Sequence, residues 1–164
     1  GETMSIGRTF KEALQKSVRS LEQDRFGLGW DRKDKPMTQE QIREKLIVPN
    51  TERLYAVRHA LKSGMTVEDI FGLSKIDPWF LSQIQEIVQF ENEILKTPND
   101  QTLRQAKRLG FSDRQLAKML DITPQEMREL ERREKILKHF EQADSNALRM
   151  ERPKPVFTNS PIQN

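Results

Sequence analysis

Paired carboxylates and two closely spaced glycines are the candidates in this sequence for binding a metal ion or a phosphate. Glu91 with Glu93, and Glu68 with Asp69, could ligate a divalent cation. They stand among basic residues on predicted helices, so we interpret them as solvated helix faces and caps. The run Gly27–Gly29 is too short for a phosphate-binding loop and lacks the further glycine and the helix that should follow.

Histidine and cysteine usage argues against metal sites and nucleophilic catalysis. The chain has no cysteine, which excludes disulfides, thiolate zinc sites and a cysteine nucleophile. Its two histidines, His59 and His139, are far apart in the sequence. We expect His59, beside Ala60 and Leu61, to be half-buried or exposed and not a ligand. The sequence therefore predicts no catalytic, cofactor-binding or metal-binding residues.

The run Trp79–Leu81 places two aromatic rings side by side, which could form a platform for a flat ligand. It directly follows Asp77-Pro78, a strong start signal for a helix. Large apolar residues in the first turn of a helix ordinarily anchor it to a core. We therefore predict a packing role for all three residues.

A helix-turn-helix DNA-binding module is the alternative function from another class. Residues 112–133 have the required pattern, with a turn at 121–123 and a second helix starting at Pro124. The side chains that this helix would offer to DNA are Gln125, Arg128, Arg132 and Arg133. The same helix carries carboxylates that phosphates would repel: Glu126, Glu129, Glu131 and Glu134. We keep this module as the second hypothesis and a stand-alone protein-interaction domain as the third.

Composition and charge favour a soluble, helical, cytoplasmic protein. Of its 164 residues, 35% are hydrophobic and 32% are charged, with a formal net charge of +3. The two signs are interleaved nearly everywhere, which is typical of solvated helices and not of a basic nucleic-acid-binding face. No apolar run approaches the roughly 20 residues that span a bilayer, and the first residues carry no secretory signal. The opening without Met favours a fragment of a longer protein.

The predicted secondary structure that carries these residues is mostly helical. Glu2 to Ile6 alternates polar and apolar residues, which predicts a short strand whose partners lie outside the chain. Thr9 then caps a helix that ends near Asp24, with Glu12 at the capping-box position. The stretch 26–36 is a linker candidate that Gly27 and Gly29 loosen, with Phe26 and Trp30 packing back on the domain.

From residue 38 to about 142 the apolar spacing predicts consecutive helices. The predicted caps and stops are Thr38, Asn50 or Thr51, Gly64, Thr66, Asp77, Pro98-Asn99, Thr102, Gly110, Ser112 and Thr123. Residues beyond about 142 lose the periodicity and contain prolines, so we predict an extended or disordered tail. The fold class is therefore all-α, an irregular multi-helix bundle preceded by a short strand-turn-helix remnant.

Two blocks of sequence resemble the large subunit of carbamoyl phosphate synthetase. The opening block contains Gly1, Met4, Ile6-Gly7-Arg8-Thr9, Glu12-Ala13, Lys16 and Arg19-Ser20-Leu21-Glu22. The second block contains Arg53-Leu54, Gly64 and Ile76-Asp77-Pro78-Trp79-Phe80-Leu81, and Gly110-Phe111 continues the likeness. The resemblance covers roughly residues 1–133.

The resemblance implies a non-catalytic role inside a larger enzyme. Residues 1–30 would be the closing strand and helix of the first ATP-grasp half, 37–142 the helical oligomerisation or connecting domain, and 143–164 a tail. The parent would make carbamoyl phosphate from bicarbonate, glutamine-derived ammonia and ATP, with Mg or Mn, for arginine and pyrimidine synthesis. The implied partners are the rest of the large subunit, the glutaminase small subunit through the parent, and a second copy, without nucleic acid or membrane.

Overall fold

The computed structural model describes residues 2–21, 24–123 and 125–133. Within these ranges the chain is helical without strands, which confirms the predicted all-α class. Seven helices have defined bounds: α1 Phe10–Ser20, α2 Gln39–Ile47, α3 Arg53–Lys62, α4 Val67–Ser74, α5 Pro78–Lys96, α6 Asp100–Arg108 and α7 Asp113–Met119. Residues 125–133 are also helical. Residues 1–127 form one compact unit and 128–164 a second, of which 128–133 are described.

The strand predicted for the first residues does not form. Residues 2–7 have no regular secondary structure, and the side chains of Met4 and Ile6 are 91% and 86% exposed. The segment lies along α1 instead, where the Ser5 hydroxyl donates to the Ala13 carbonyl at 2.7 Å. An alternating pattern becomes a strand only beside a second strand that takes its backbone hydrogen bonds, and the described residues offer none.

The helix starts lie close to the predicted positions because their signals are local. Thr9, Thr38, Thr66, Asp77 and Ser112 each accept a backbone N–H in the first turn of the helix that follows. At α1 the Glu12 carboxylate accepts from the N–H of Arg8, one residue outside the predicted capping box. The start of α3 has no side-chain cap. The cap of α6 is Asn99, so this helix begins before the predicted Thr102.

Helix α5 lies at the centre of the compact unit and packs against α1, α3, α4 and α6. One face of it supplies the largest group of core side chains: Leu81, Ile84, Ile87, Val88 and Ile94, each at most 6% exposed. These positions recur at the three-to-four-residue spacing of a helix face, which matches the apolar stripe read from the sequence. Helices α1, α3, α4 and α6 pack on this helix, and α2 packs on α3 and α4.

The stretch 26–36 is not a loose linker. Leu28 is 1% exposed and belongs to the hydrophobic core, with Trp30 packed against the same core as predicted. Gly27 and Gly29 serve close packing and not flexibility. A Cβ added at Gly27 would collide with the Gln115 side chain, and one at Gly29 with the Arg58 guanidinium. The two glycines therefore let this segment approach α3 and α7 closely.

Candidate interaction surface

The charged side chains inside the bundle are bonded to one another. Arg58 on α3 is 1% exposed and donates from Nε and Nη2 to the two carboxylate oxygens of Glu91 on α5, at 2.7 and 3.0 Å. Its Nη1 donates to both oxygens of Asp34 at 3.0 Å. The carboxylate of Glu91, read from the sequence as solvated, is thus 2% exposed and structural. Sequence spacing gave no signal of this, since the partners are 33 residues apart.

Asp34 joins this cluster from the segment before α2. The Nε2 atom of His59 lies 3.1 Å from its carboxylate, so His59 is half-buried as expected and is paired with an acid. Burial alone would raise the pKa of the Asp34 carboxyl, but the hydrogen bond from His59 and the charge of Arg58 hold that pKa well below its ordinary value of 3.8. Burial likewise opposes the charge of Arg58, and the hydrogen bonds and charges of Glu91 and Asp34 together outweigh it and raise the Arg58 pKa.

Helix α1 is fastened to the turn between α6 and α7 by side chains from the opening block. The Gln15 amide donates to the carbonyl of Leu109 at 3.1 Å, and the Arg19 guanidinium donates to the carbonyl of Gly110. Gly110 has φ +89°, and a Cβ there would lie 2.9 Å from Cα of Glu12. A glycine is therefore required both by the left-handed backbone and by the closeness of α1.

A second junction is made by Arg53. Its guanidinium donates to the carbonyl of Leu46 at 3.0 and 2.8 Å, and also to the carbonyl of Ser74. These carbonyls belong to the last turns of α2 and α4, where the helix dipoles concentrate partial negative charge. One cation thus holds two helix C-termini against the start of α3.

The other residues singled out by the resemblance also occupy structural positions. Gly7 lies so close to α1 that an added Cβ would be 2.6 Å from the Ala13 amide nitrogen. Phe111 is 3% exposed and its ring lies 6.4 Å from that of Phe90. Leu54 and Ile76 pack on the core, Gly64 follows α3 with φ +93°, and Leu21 caps α1. Glu22 lies outside the described residues.

Two of the three residues in the Trp79–Leu81 run are not in the core. Leu81 is fully buried, but Trp79 is 53% and Phe80 42% exposed, so the predicted anchoring to the core is wrong for both rings. Their rings lie edge-on or tilted against the Phe10 ring of α1, at centroid separations of 5.3 and 5.2 Å, and are 5.1 Å from each other. We call Phe10, Trp79 and Phe80 the aromatic patch. Phe10 and the first turn of α5 bring it together, a proximity that sequence spacing does not reveal.

Other large apolar side chains are exposed on single helices. Ile47 and Val48 at the end of α2 are 52% and 57% exposed, and Phe71 on α4 is 40% exposed. The Lys75 ammonium lies 5.6 Å from the centre of the Phe71 ring. The aromatic patch differs from these because its three rings contact one another and come from two helices.

The described residues offer no feature that favours the DNA-binding alternative. On the described helix 125–133, Glu129 lies 3.1 Å from Arg132 and 3.5 Å from Arg133. Two of the four side chains that would face DNA are therefore paired with a carboxylate. Thr123 accepts the backbone N–H of Glu126 at 3.2 Å, which confirms the predicted cap, and the Glu126 carboxylate accepts the N–H of Thr123 at 2.7 Å. His139, Glu134 and the tail lie outside the described residues.

The described residues hold neither a metal-binding cluster nor a helix that could cross a membrane. Residues 2–21, 24–123 and 125–133 contain no group of three or more His, Cys, Asp or Glu side chains placed to hold a metal ion. Across the same part of the chain, every helix is too short or too polar to cross a membrane.

Comparison with known proteins identifies a domain family. The family described as "Carbamoyl-phosphate synthetase large chain, oligomerisation domain" matches residues 2–137. The carbamoyl phosphate synthase large chain of Archaeoglobus fulgidus is 42% identical over 165 residues, which cover 96% of this chain and 15% of the relative. That of a Nostoc species is 41% identical over 96% of this chain and 15% of its own length. The "Carbamoyl phosphate synthase large chain, N-terminal section" of Aquifex aeolicus is 45% identical, covering 90% and 26%. The chain thus spans between 15% and 26% of these relatives.

Proposed function

Since the chain belongs to the carbamoyl-phosphate synthetase large-chain family, as its oligomerisation domain, we propose that it acts in such an enzyme as a non-catalytic helical connector that also self-associates. The observation that carries this proposal is the use of the buried charges. Arg58, Glu91 and Asp34 satisfy one another, and Arg25 is 2.9 Å from the carboxylate of Asp31. Charged side chains that are buried and bonded to one another are not available to bind a substrate.

The proposed parentage divides the chain into three parts. Residues 1–30 would complete the first ATP-grasp half, 37–142 would be the oligomerisation domain proper, and 143–164 a tail. The exposed, alternating segment 2–7 supports the first part, because it has the pattern of a strand that lacks a neighbour. Residues 1–127 pack as one compact unit. The boundary near residue 30 would therefore separate two domains of the parent enzyme without a break in the packing of this chain.

The activity of the parent is part of the same proposal. It would be an ATP-dependent ligase that makes carbamoyl phosphate from bicarbonate and glutamine-derived ammonia for arginine and pyrimidine biosynthesis in the cytoplasm. ATP with Mg or Mn would bind elsewhere in the large chain. The glutaminase small subunit would be reached through the parent and not by this segment alone.

Two measurements test the proposal. Sedimentation velocity on the 164-residue chain over a wide concentration range should show reversible dimer formation, because a domain that oligomerises presents apolar surface with a partner to cover it. A strict monomer at the highest concentration would contradict self-association. Bicarbonate-dependent ATP hydrolysis by the same preparation should stay at background, and measurable turnover would overturn the non-catalytic assignment.

A further inference from the structure

The aromatic patch is the most prominent apolar surface that the structural role of the chain does not use. Trp79 and Phe80 lie in the first turn of α5, where Leu81 alone supplies the core contact. Phe10 closes the group from α1, with the Trp79 ring edge-on at 5.3 Å. Three rings fixed against one another form a rigid surface that loses little conformational freedom when it is covered.

The size of the patch limits what can cover it. Three partly exposed aromatic rings present on the order of 300 Å². A stable complex between separate molecules usually buries about 800 Å² on each partner. The patch is therefore too small to hold a separate molecule by itself. A contact of this size can be stable against a surface of the same polypeptide, because the covalent connection gives that surface a high effective concentration.

The segment before α1 extends the exposed apolar surface away from the aromatic patch. Residues 2–7 lead straight into the helix that carries Phe10, and their apolar side chains Met4 and Ile6 are 91% and 86% exposed. Apolar exposure therefore continues along the sequence from the patch toward whatever this segment joins. In Aquifex aeolicus the matching segment is carried by a polypeptide named as the N-terminal section, of which it makes up 26%.

From these observations we infer that the aromatic patch docks against the remainder of the N-terminal section of the large chain. The occupant is an apolar surface of that same polypeptide, and Phe10, Trp79 and Phe80 are the contact residues. This inference rests on the proposed function, since it requires the chain to be part of a large chain. It also assigns self-association to a different face of the bundle.

Radical footprinting with peptide-resolved mass spectrometry tests the docking. The oxidation rates of Trp79 and Phe80 are compared between the 164-residue chain and an N-terminal section that carries it. The Trp79 side chain is 53% exposed in the isolated chain. If the section buries it, its oxidation there should be roughly fivefold slower. Phe71, 40% exposed on α4, is the matched control and should react at similar rates in both.

The outcomes separate the possible occupants. Protection of Trp79 and Phe80 in the section, with none in the dilute isolated chain, supports the inference. Unchanged oxidation in the section overturns it. Protection that appears in the isolated chain and rises with its concentration also overturns it, because a second copy would then cover the patch. Sedimentation of the isolated chain reports separately on the proposed self-association, so the two failures are distinguishable.

A pair of variants gives an independent readout. Trp79→Ser with Phe80→Ser leaves Leu81 in place, so the isolated chain should still fold. In the N-terminal section the same double substitution should raise the rate of limited proteolysis several-fold, whereas Phe71→Ser should not. Equal effects of the two variants on the section would count against docking through the patch.

Discussion

Arg58 and Glu91 form a two-bonded ion pair in the interior of the bundle, with donor–acceptor distances of 2.7 and 3.0 Å and side chains 1% and 2% exposed. The pair connects α3 to the central helix α5. Asp34 accepts from the remaining guanidinium nitrogen, and the Lys62 ammonium lies 3.6 Å from Glu91. Such a cluster is stable only while its charges balance, which makes each member sensitive to the loss of its neighbour.

Glu91→Ala should therefore strongly destabilise the chain. Removing one partner leaves Arg58 buried with Asp34 alone, and breaking a buried ion pair in this way costs about 3–5 kcal/mol. The measurement is the free energy of unfolding from urea denaturation. Glu93→Ala on the exposed side of the same helix is the control and should change stability by less than about 0.5 kcal/mol. Similar values for both variants would show that the pair contributes little.

Asp34→Asn should lower stability at neutral pH and flatten its dependence on acid. Because the folded Asp34 pKa lies below its ordinary value of 3.8, its contribution is complete above pH 3.8 and is lost as pH falls toward the folded pKa. Replacing this acceptor of charged hydrogen bonds should cost about 1–3 kcal/mol at pH 7. The difference in free energy of unfolding between Asp34→Asn and the unaltered chain should become smaller below about pH 4.

Urea denaturation at several pH values measures that difference. Asp100→Asn, at an exposed position in the first turn of α6, shows what the loss of a surface carboxylate does by itself. A gap between Asp34→Asn and the unaltered chain that stays constant from pH 7 to pH 3 would contradict the assignment of the low pKa to Asp34.

Gly110→Ala should be more destabilising than Gly64→Ala, although the two glycines have similar φ values of +89° and +93°. Both substitutions place a Cβ on a left-handed residue, at about 1–2 kcal/mol. At Gly110 the added Cβ would lie 2.9 Å from Cα of Glu12 on another helix. At Gly64 it would have no atom within 4 Å. The added overlap should cost about 1–3 kcal/mol more. Equal thermal midpoints for the two variants would disprove the steric role.

Arg53→Lys should weaken the junction of α2, α3 and α4 although it keeps the charge. A lysine cannot reproduce the planar fork that reaches the carbonyls of Leu46 and Ser74 together. We expect a loss of about 1–3 kcal/mol and faster amide hydrogen exchange in the last turns of α2 and α4. Arg43→Lys on the exposed face of α2 is the matched control. Unchanged exchange in both helices would show that Arg53 is dispensable.

Local signals in the sequence predict where helices begin, and tertiary contacts decide what becomes of charged and aromatic side chains. Thr38, Thr66 and Ser112 cap as predicted because a hydroxyl two or three residues from a free N–H needs no distant partner. The sequence predicts a solvated Glu91 because it does not show that the partner of this carboxylate is on another helix. It predicts Trp79 and Phe80 in the core because it does not show which face of α5 the neighbouring helices cover.

The stretch 26–36 shows the same limit from the opposite side. Its glycines and charges are typical of a linker, and Leu28, Asp31 and Asp34 are instead tied into the interior. A glycine permits a flexible chain and a closely packed chain equally well. The choice between them depends on Gln115 and Arg58, which approach Gly27 and Gly29 only in the folded chain.

The fastening of α1 to the turn at Leu109 and Gly110 also orders events during synthesis. The Gln15 side chain donates to the carbonyl of Leu109, 94 residues away, and accepts from the amide of Gln115, 100 residues away. A ribosome adds roughly 5–20 residues each second, so α1 emerges several seconds before the turn that receives it. Until residue 115 is made, α1 cannot dock in its final place. The helix of this segment that is made before the other six is thus among the last of them to reach its final contacts.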